Sequence, residues 1–543
     1  MATQTVTSRA GITPALPENS SGTTTPRVEK MQPGLVDGPV HAVNVRTIVM
    51  GIIVSTTGFM FGYEGGSIGG YVEMMNFREH FGDTINSSGE ITLGKVRTGC
   101  MVAFLCIGCL LGSLISAPFA DRFGRKYCIA AWSTLHIVGN IVQISASKHW
   151  YQVPIGRLVA GLAVGACSVL APMYQSETAP RQVRSVLVSA YQLFITLGIF
   201  TAYCINYGTE TRNDTGSWRI TMGCGFISPV VIGVGMLFMR ESPRWDFSHG
   251  HPEAAALTLS LVSKVPIEHV EIQHELAEMR EKLAEEANQG ETKWHEIFTG
   301  PAMARRTIVG VLIQALQQLT GANFFFYYGT QIFSSVGISN SYVTSMILGG
   351  VNFGSTIVGL WVSQRFGRRL CLIVGGVWMG ICFLVFASLG SFSLYPDSNF
   401  SDPNAVTSRG TGGAMIAFAC LFIFGFATTW GCLCWAIAGE MYPSRHRARC
   451  MALCMASNWL WNFLISFFTP FITAAINYRY GYVFAGCCFA GALLVFFFII
   501  ESHNRSLEEV DTMYVRGVVP WKSASWTPDD EGPENGENGE KAS

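Results

Sequence analysis

Charge is scarce in this chain. Only 13% of its 543 residues are Asp, Glu, Lys or Arg, about half the share of an average soluble domain. The formal net charge is -1, so no global basic field draws the chain toward nucleic acid. The opening segment lacks the basic-then-apolar order of a cleaved signal. The 16 cysteines fall mostly inside apolar runs, as Cys100, Cys106, Cys109, Cys224, Cys432, Cys434, Cys487 and Cys488 do. Their spacing fits neither a metal site nor a secreted disulfide framework, and they read as small buried hydrophobes. No Gly-rich phosphate loop, metal-ligand cluster or nucleophile-and-base arrangement is present. These absences argue against an enzyme and call for no cofactor.

What the chain has instead is apolar length, with 49% hydrophobic residues. A window of about 20 apolar residues crosses the hydrocarbon layer. Twelve such windows start near Arg46, Thr98, Tyr127, Tyr151, Ser185, Arg219, Arg306, Tyr342, Leu370, Gly412, Arg449 and Tyr480. Between the sixth and seventh runs a charged, helix-favouring stretch, Ala254 to Asn288, ending before Trp294. The spacing predicts an all-α membrane protein of twelve transmembrane helices in two pseudo-symmetric six-helix bundles joined by a cytoplasmic helical linker. The expected segments are an N-terminus over 1–45, bundles over 46–240 and 306–500, a linker over 241–305 and a tail over 501–543. Roughly the first 40 residues, rich in Thr, Pro, Gly and Ser, and roughly the last 30, acidic and Gly-rich, have the composition of disordered cytoplasmic segments.

Lys and Arg are retained on the cytoplasmic side of short loops. Here they collect after even-numbered spans: Arg122, Arg125 and Lys126; Arg181 and Arg184; Arg365, Arg368 and Arg369; Arg445, Arg447 and Arg449. Both termini are therefore predicted inside. Glycosylation sequons at Asn86, Asn213 and Asn399 fall on the predicted outside, and those at Asn19 and Asn504 fall inside.

The two halves repeat the same punctuation, the mark of a duplicated carrier. Asp121-Arg122-Phe123-Gly124-Arg125-Lys126 answers Gln364-Arg365-Phe366-Gly367-Arg368-Arg369. Glu177, Pro180 and Arg184 have the spacing of Glu440, Pro443 and Arg447, and Glu241-Ser242 with Arg244 answers Glu501-Ser502 with Arg505. Arginines alone would only set topology. Their acidic partners at fixed spacing instead suggest a latch, in which planar guanidinium forks clamp carboxylates and helix ends on neighbouring bundles.

Together with Glu241-Ser242-Pro243-Arg244 and Gln317-Gln318-Leu319-Thr320-Gly321-Ala322-Asn323, these motifs closely resemble the sugar porters of the major facilitator superfamily, from Arg46 to Val510. Within that family the chain is most similar to fungal monosaccharide transporters. The resemblance implies a plasma-membrane carrier of a hexose or xylose, with a monosaccharide, protons and the lipid bilayer as its partners. The preferred sugar and the oligomeric state have no sequence signature.

A polyol carrier needs neutral hydrogen-bonding groups and aromatic faces around a central cavity. Gln314, Gln317 and Gln318 in the seventh span lie at i, i+3 and i+4 on one helical face. Asn323 follows Gly321, where an interrupted helix would turn it toward the same space, and Tyr327 and Tyr328 come next. Amides in a membrane helix also serve as interhelical glue. Gln192, Asn352, Trp435, Asn458, Trp459 and Asn462 are further candidates, Asn458 and Asn462 sharing a face. The resemblance puts Gln192, Gln317, Gln318, Asn323, Asn352, Trp435 and Asn462 where sugar porters contact the ring. It departs at Gly431-Cys432-Leu433-Cys434, where these porters often carry prolines, and this puts the hinge of the tenth span in question.

Glu64 is an ionisable residue in an apolar first span, a functional position by default. The resembling proton symporters carry an acid, usually Asp, at the position of Glu64 and an arginine at that of Arg157. A carboxyl that gains and loses Arg157 as the bundles rock would load and release a proton. A permanent Glu64–Arg157 pair holding two helices together is the alternative, since some passive yeast carriers also keep the acid. A glucose sensor of the same fold is a third reading, against which the short tail stands.

Overall fold

Lipid offers no partner to a backbone N–H or C=O, so a chain this apolar must satisfy both within helices. The computed structural model describes residues 43–85, 89–180, 182–289, 295–300, 302–334, 340–394, 408–503, 505 and 507–526. The two terminal segments, the sequons at Asn19, Asn86, Asn399 and Asn504, and Arg181 and Trp294 lie outside them. Asn213 is exposed in the turn preceding a helix.

In chain order the helices are α1 (Val45–Tyr71), α2 (Met75–Phe81), α3 (Lys95–Phe123), α4 (Arg125–Ile144), α5 (Gln152–Thr178), α6 (Arg184–Thr209), α7 (Gly216–Cys224) and α8 (Ile227–Phe238). Helices α9 (Pro243–Ser248), α10 (Pro252–Ser263), α11 (Val270–Gln289) and α12 (Glu296–Thr299) follow. Then come α13 (Met303–Leu319), α14 (Ala322–Ser334), α15 (Ser341–Arg365), α16 (Arg368–Ser388), α17 (Arg409–Thr428), α18 (Trp430–Glu440), α19 (Ser444–Ile476), α20 (Tyr480–Phe498) and α21 (Leu507–Val515). A two-stranded hairpin pairs Thr84–Ile85 with Ile91–Thr92.

Among the described residues, eleven helical stretches are long and apolar enough to cross a membrane. The last, Arg449–Phe498, runs for 50 residues through the 3-10 turn Asn477–Arg479 that separates α19 from α20. The closest packing falls within α1 and α3–α8 and within α13–α20, with α3 against α19 and α6 against α15 joining the two sets.

Glycine sets how near the helices come. A Cβ at Gly112 would lie 2.0 Å from the Leu162 carbonyl oxygen, and one at Gly165 would lie 2.0 Å from that of Cys109. The backbones of α3 and α5 therefore touch, which is how membrane helices associate when lipid gives no hydrophobic drive. Three stretches are interrupted: α7 from α8 at Gly225–Phe226, α13 from α14 at Gly321 with φ 88°, and α17 from α18 at Thr429 with φ -129° and ψ -82°. The stretch expected to be the tenth span is thus interrupted at Thr429, without the prolines that the resemblance implies.

The tail differs from its predicted disorder. Residues 507–526 fold back on the second set: Arg306 is buried against Asp511 at 2.5 Å and under the Tyr514 ring at 4.7 Å. Trp521 stacks on Phe496, and Ser523 Oγ accepts from the Glu501 N–H. Composition averaged these aromatic anchors into the acidic stretch beyond them.

Gly112→Ala should lower the melting temperature of the detergent-solubilised protein, because overpacking a close contact costs about 1–3 kcal/mol. An unchanged melting temperature would mean that α3 and α5 separate freely.

Candidate functional site

The break at Gly321 places the amides of α13 and α14 opposite α19. Asn458 donates through Nδ2 to Gln314 Oε1 at 2.8 Å and Gln317 Oε1 at 2.7 Å. Gln318 Nε2 donates to Asn458 Oδ1 at 2.9 Å, and Asn323 Nδ2 donates to Gln318 Oε1 at 2.6 Å. Gln314 and Gln317 each donate to α18, at the carbonyls of Cys434 (3.5 Å) and Trp430 (3.4 Å). Five predicted site residues thus form one connected network of neutral donors and acceptors, half-buried only at Gln318 and Asn323.

Nearer α3, Asn462 Oδ1 accepts from Ser466 Oγ and from Cys106 Sγ of the first set, and Tyr328 Oη donates to the Ser466 carbonyl. Gln192 and Trp435 are half-buried and Asn352 is buried on α15. None of these three hydrogen-bonds the amide network.

Glu64 and Arg157 are both buried and meet at 3.5 Å between Oε2 and Nη1. The same Nη1 donates to the Glu64 carbonyl and to Tyr71 Oη, each at 3.3 Å, while Nε and Nη2 have no hydrogen-bond partner. Sequence reasoning missed the group on the other carboxylate oxygen. His136 Nε2 lies 3.4 Å from Glu64 Oε1. Ser133, His136, Asn140 and Gln143, all buried on α4, make a polar stripe at helical spacing that would have shown it.

At the end of the bundle bearing the repeated motifs, two matching clusters form. In the first, Arg125 reaches Glu177 at 3.2 Å and Asp121 at 3.3 Å, and Ser242 Oγ donates to Glu177. Glu241 accepts the first N–H groups of α4 from Arg125 (2.8 Å) and Lys126 (3.0 Å). In the second, Arg368 grips Glu440 through two 2.7 Å bonds and Ser502 Oγ donates to Glu440 at 2.7 Å. Glu501 accepts from the N–H groups of Arg368 (2.8 Å) and Arg369 (3.1 Å) at the start of α16. A carboxylate at a helix N-terminus meets unpaired N–H groups and the positive dipole end. Burial pushes the Glu241 carboxyl above its usual range, and these N–H groups pull it back.

The latch was expected to clamp neighbouring bundles, whereas each cluster lies within one set of helices. The geometric reason is that each Arg fork is held at its own helix start by the carboxylates beside it. Arg184 instead reaches Glu275 of α11 at 3.4 Å, and it lines a cavity of about 470 Å³ with Glu177, Arg244 and Arg447. Arg122 and Arg365 are exposed. At the opposite end, bonds cross between the sets: Tyr203 Oη to the Phe326 carbonyl (2.7 Å), Tyr342 Oη to that of Gly70 (3.0 Å), and Asn340 Nδ2 to Glu210 Oε1 (2.6 Å).

Residues 50–514 match the family model described as "Sugar (and other) transporter". The chain is 45% identical over 478 residues to the low-affinity glucose transporter HXT3 of Saccharomyces cerevisiae, covering 88% of this chain and 83% of that one. It is 43% identical over 481 residues to the high-affinity glucose transporter ght2 of Schizosaccharomyces pombe, covering 88% and 89%. Among solved structures, the xylose transporter XylE from E. coli, in a partially occluded inward open conformation, superposes with a TM-score of 0.69 at 21% identity, over 85% of this chain and all of that one. That likeness gives the fold.

Arg125→Ala should expose Cys128, buried one turn along α4, to a membrane-permeant maleimide, as read by site-resolved mass spectrometry. Unchanged labelling of Cys128 would leave the first cluster a topological signal only.

Proposed function

The chain belongs to the sugar transporter family, and from that premise we propose that it carries a hexose across the plasma membrane by alternating access, coupled to a proton through Glu64 and Arg157. In this reading Arg449–Phe498 counts as two spans, making twelve. Bundles over 46–240 and 306–500 rock about the central amides, with the linker over 241–305 and both termini in the cytoplasm. The positive residues at the ends of α3 and α15 support that orientation. With it, the cavity beside Arg184 and Arg447 faces the cytoplasm and the bonds at Gly70, Phe326 and Glu210 close the outer side. Exposed Asn213 is then an external glycosylation site.

The observation that carries the sugar assignment is the network of Gln314, Gln317, Gln318, Asn323 and Asn458 around the break at Gly321. Neutral amides pair with sugar hydroxyls in either direction, because each offers both donors and an acceptor. Gln192, Asn352, Trp435, Asn462 and Tyr328 complete the ring contacts as the bundles close. The glucose transporters among the relatives support a hexose as cargo.

Coupling draws on the Glu64–Arg157 pair. One proton brings about 2.3 kcal/mol per 100 mV of membrane potential and about 1.4 kcal/mol per pH unit. One solved neighbour is described as a proton:xylose symporter, which supports this arm. Passive carriage is the second reading, favoured by the 3.5 Å contact that already holds Glu64 on Arg157.

The test is uptake of radiolabelled glucose and xylose in yeast lacking its own hexose carriers, with and without a protonophore. Accumulation above the external level, lost with the protonophore and in Glu64→Gln, is expected; equilibrating uptake indifferent to both makes the carrier passive. No uptake of any sugar brings a sensor forward. Gln318→Ala should cut uptake about tenfold or more at unchanged surface abundance, the size of losing one or two well-placed hydrogen bonds. Full transport in that variant removes the seventh span from the site.

A further inference from the structure

His136 is fully buried, and the roles given above leave it unused. Its Nε2 faces Glu64 Oε1 at 3.4 Å, and its Nδ1 faces the Ala160 carbonyl oxygen of α5, also at 3.4 Å. Both facing atoms are acceptors unless the carboxyl is protonated. A neutral imidazole has one N–H and one lone pair, so whichever tautomer it adopts, one ring nitrogen points a lone pair at an oxygen lone pair. At a fully buried ring that mismatch is costly. One extra proton removes it, either as imidazolium against carboxylate or as neutral imidazole against carboxylic acid.

The surroundings restrict where that proton goes. The titratable groups near the pair are Tyr63 and Tyr71 of α1, Cys109 of α3, Cys224 at the end of α7 and Arg157 of α5. Arg157 occupies Glu64 Oε2 and cannot be deprotonated in a protein, which leaves the Oε1 side facing His136. A Cβ at Gly225 would stand 3.1 Å from Asn140 Nδ2 and 3.6 Å from Glu64 Oε1, so α7 and α8 close the remaining side with their backbone.

We propose that Glu64 and His136 share one bound proton between Oε1 and Nε2, so that Glu64 keeps its Arg157 contact on Oε2 while the site is loaded. Under the coupling reading above, on which this part rests, that proton is the transported one. Its arrival changes the charge of the triad from zero to +1, and its departure restores the lone-pair mismatch at one edge of the His136 ring, against Glu64 of α1 or Ala160 of α5. His136 is thereby a proton-holding residue, and Glu64 needs no full separation from Arg157 to take up charge.

The experiment uses the full chain reconstituted in liposomes as wild type, His136→Asn, His136→Gln and Glu64→Gln. Glucose exchange is followed against pH, and glucose-driven proton entry with an internal dye. Wild-type exchange should change roughly threefold or more between about pH 5 and 8. Both His136 variants should exchange glucose with that dependence flattened to less than about twofold over the same range. A His136 variant that keeps the wild-type profile, or a wild type whose exchange is flat with pH, overturns the proposal. Wild-type exchange without proton entry sinks the coupling reading alone; loss of its pH dependence in His136→Asn would still uphold the shared proton. Should neither His136 variant fold, infrared difference spectra of ring-labelled histidine decide: an imidazole band that responds to acid in the wild type and not in Glu64→Gln supports sharing, and no such band overturns it.

Discussion

Hydrocarbon contains nothing that can accept or donate a hydrogen bond, and this one fact orders the molecule. Every polar group inside the spans must find its partner in the chain, in a ligand or in water that the bundle admits. The backbone meets the demand with helices. The helices stop at Gly225, Gly321 and Thr429, and side-chain amides cluster beside the last two of these breaks, Gln317 on the Trp430 carbonyl and Gln314 on that of Cys434.

The same constraint acts at the helix ends. Arg125, Glu177, Glu241 and Ser242 have the same bonding pattern as Arg368, Glu440, Glu501 and Ser502. Each set cross-links three helix ends where lipid gives way to water. Because both clusters are internal to their own set of helices, they stiffen each set without themselves adding a bond between the sets. Rigid-body rocking needs that separation, since a clamp between the sets would resist the motion it is meant to gate.

Much of this was readable in one dimension. Apolar windows located the helix starts to within a few residues, and the duplicated acid–arginine motifs announced the paired clusters, because short-range spacing fixes which residues share a helix end. Gln314, Gln317 and Gln318 were legible as one face because helical spacing needs no tertiary knowledge. What remained hidden depends on which helix packs where. Asn458 joins the amides only because α19 lies against α13, and His136 meets Glu64 only because α4 and α1 flank Arg157 of α5. The clusters' confinement to one set is likewise a matter of packing, not spacing. The folding of residues 507–526 was masked by an average: a few aromatic anchors outweigh the acidic composition around them.

The amide network has a property that a rigid core would lack. Its members are satisfied chiefly by one another, Asn458 alone bonding three glutamines, and its outer members Gln318 and Asn323 are only half-buried. A sugar entering there exchanges amide–amide bonds for amide–hydroxyl bonds of the same kind, so the net cost of opening the network is small, whereas an apolar ligand would leave the amides unpaired and forfeit about 1–3 kcal/mol for each buried group. Selection for a polyol over an apolar solute thus follows from self-pairing amides at a broken helix. Under the proposed function, the choice among hexoses comes from the shape of the cavity once Gln192, Asn352 and Trp435 close on it from other helices.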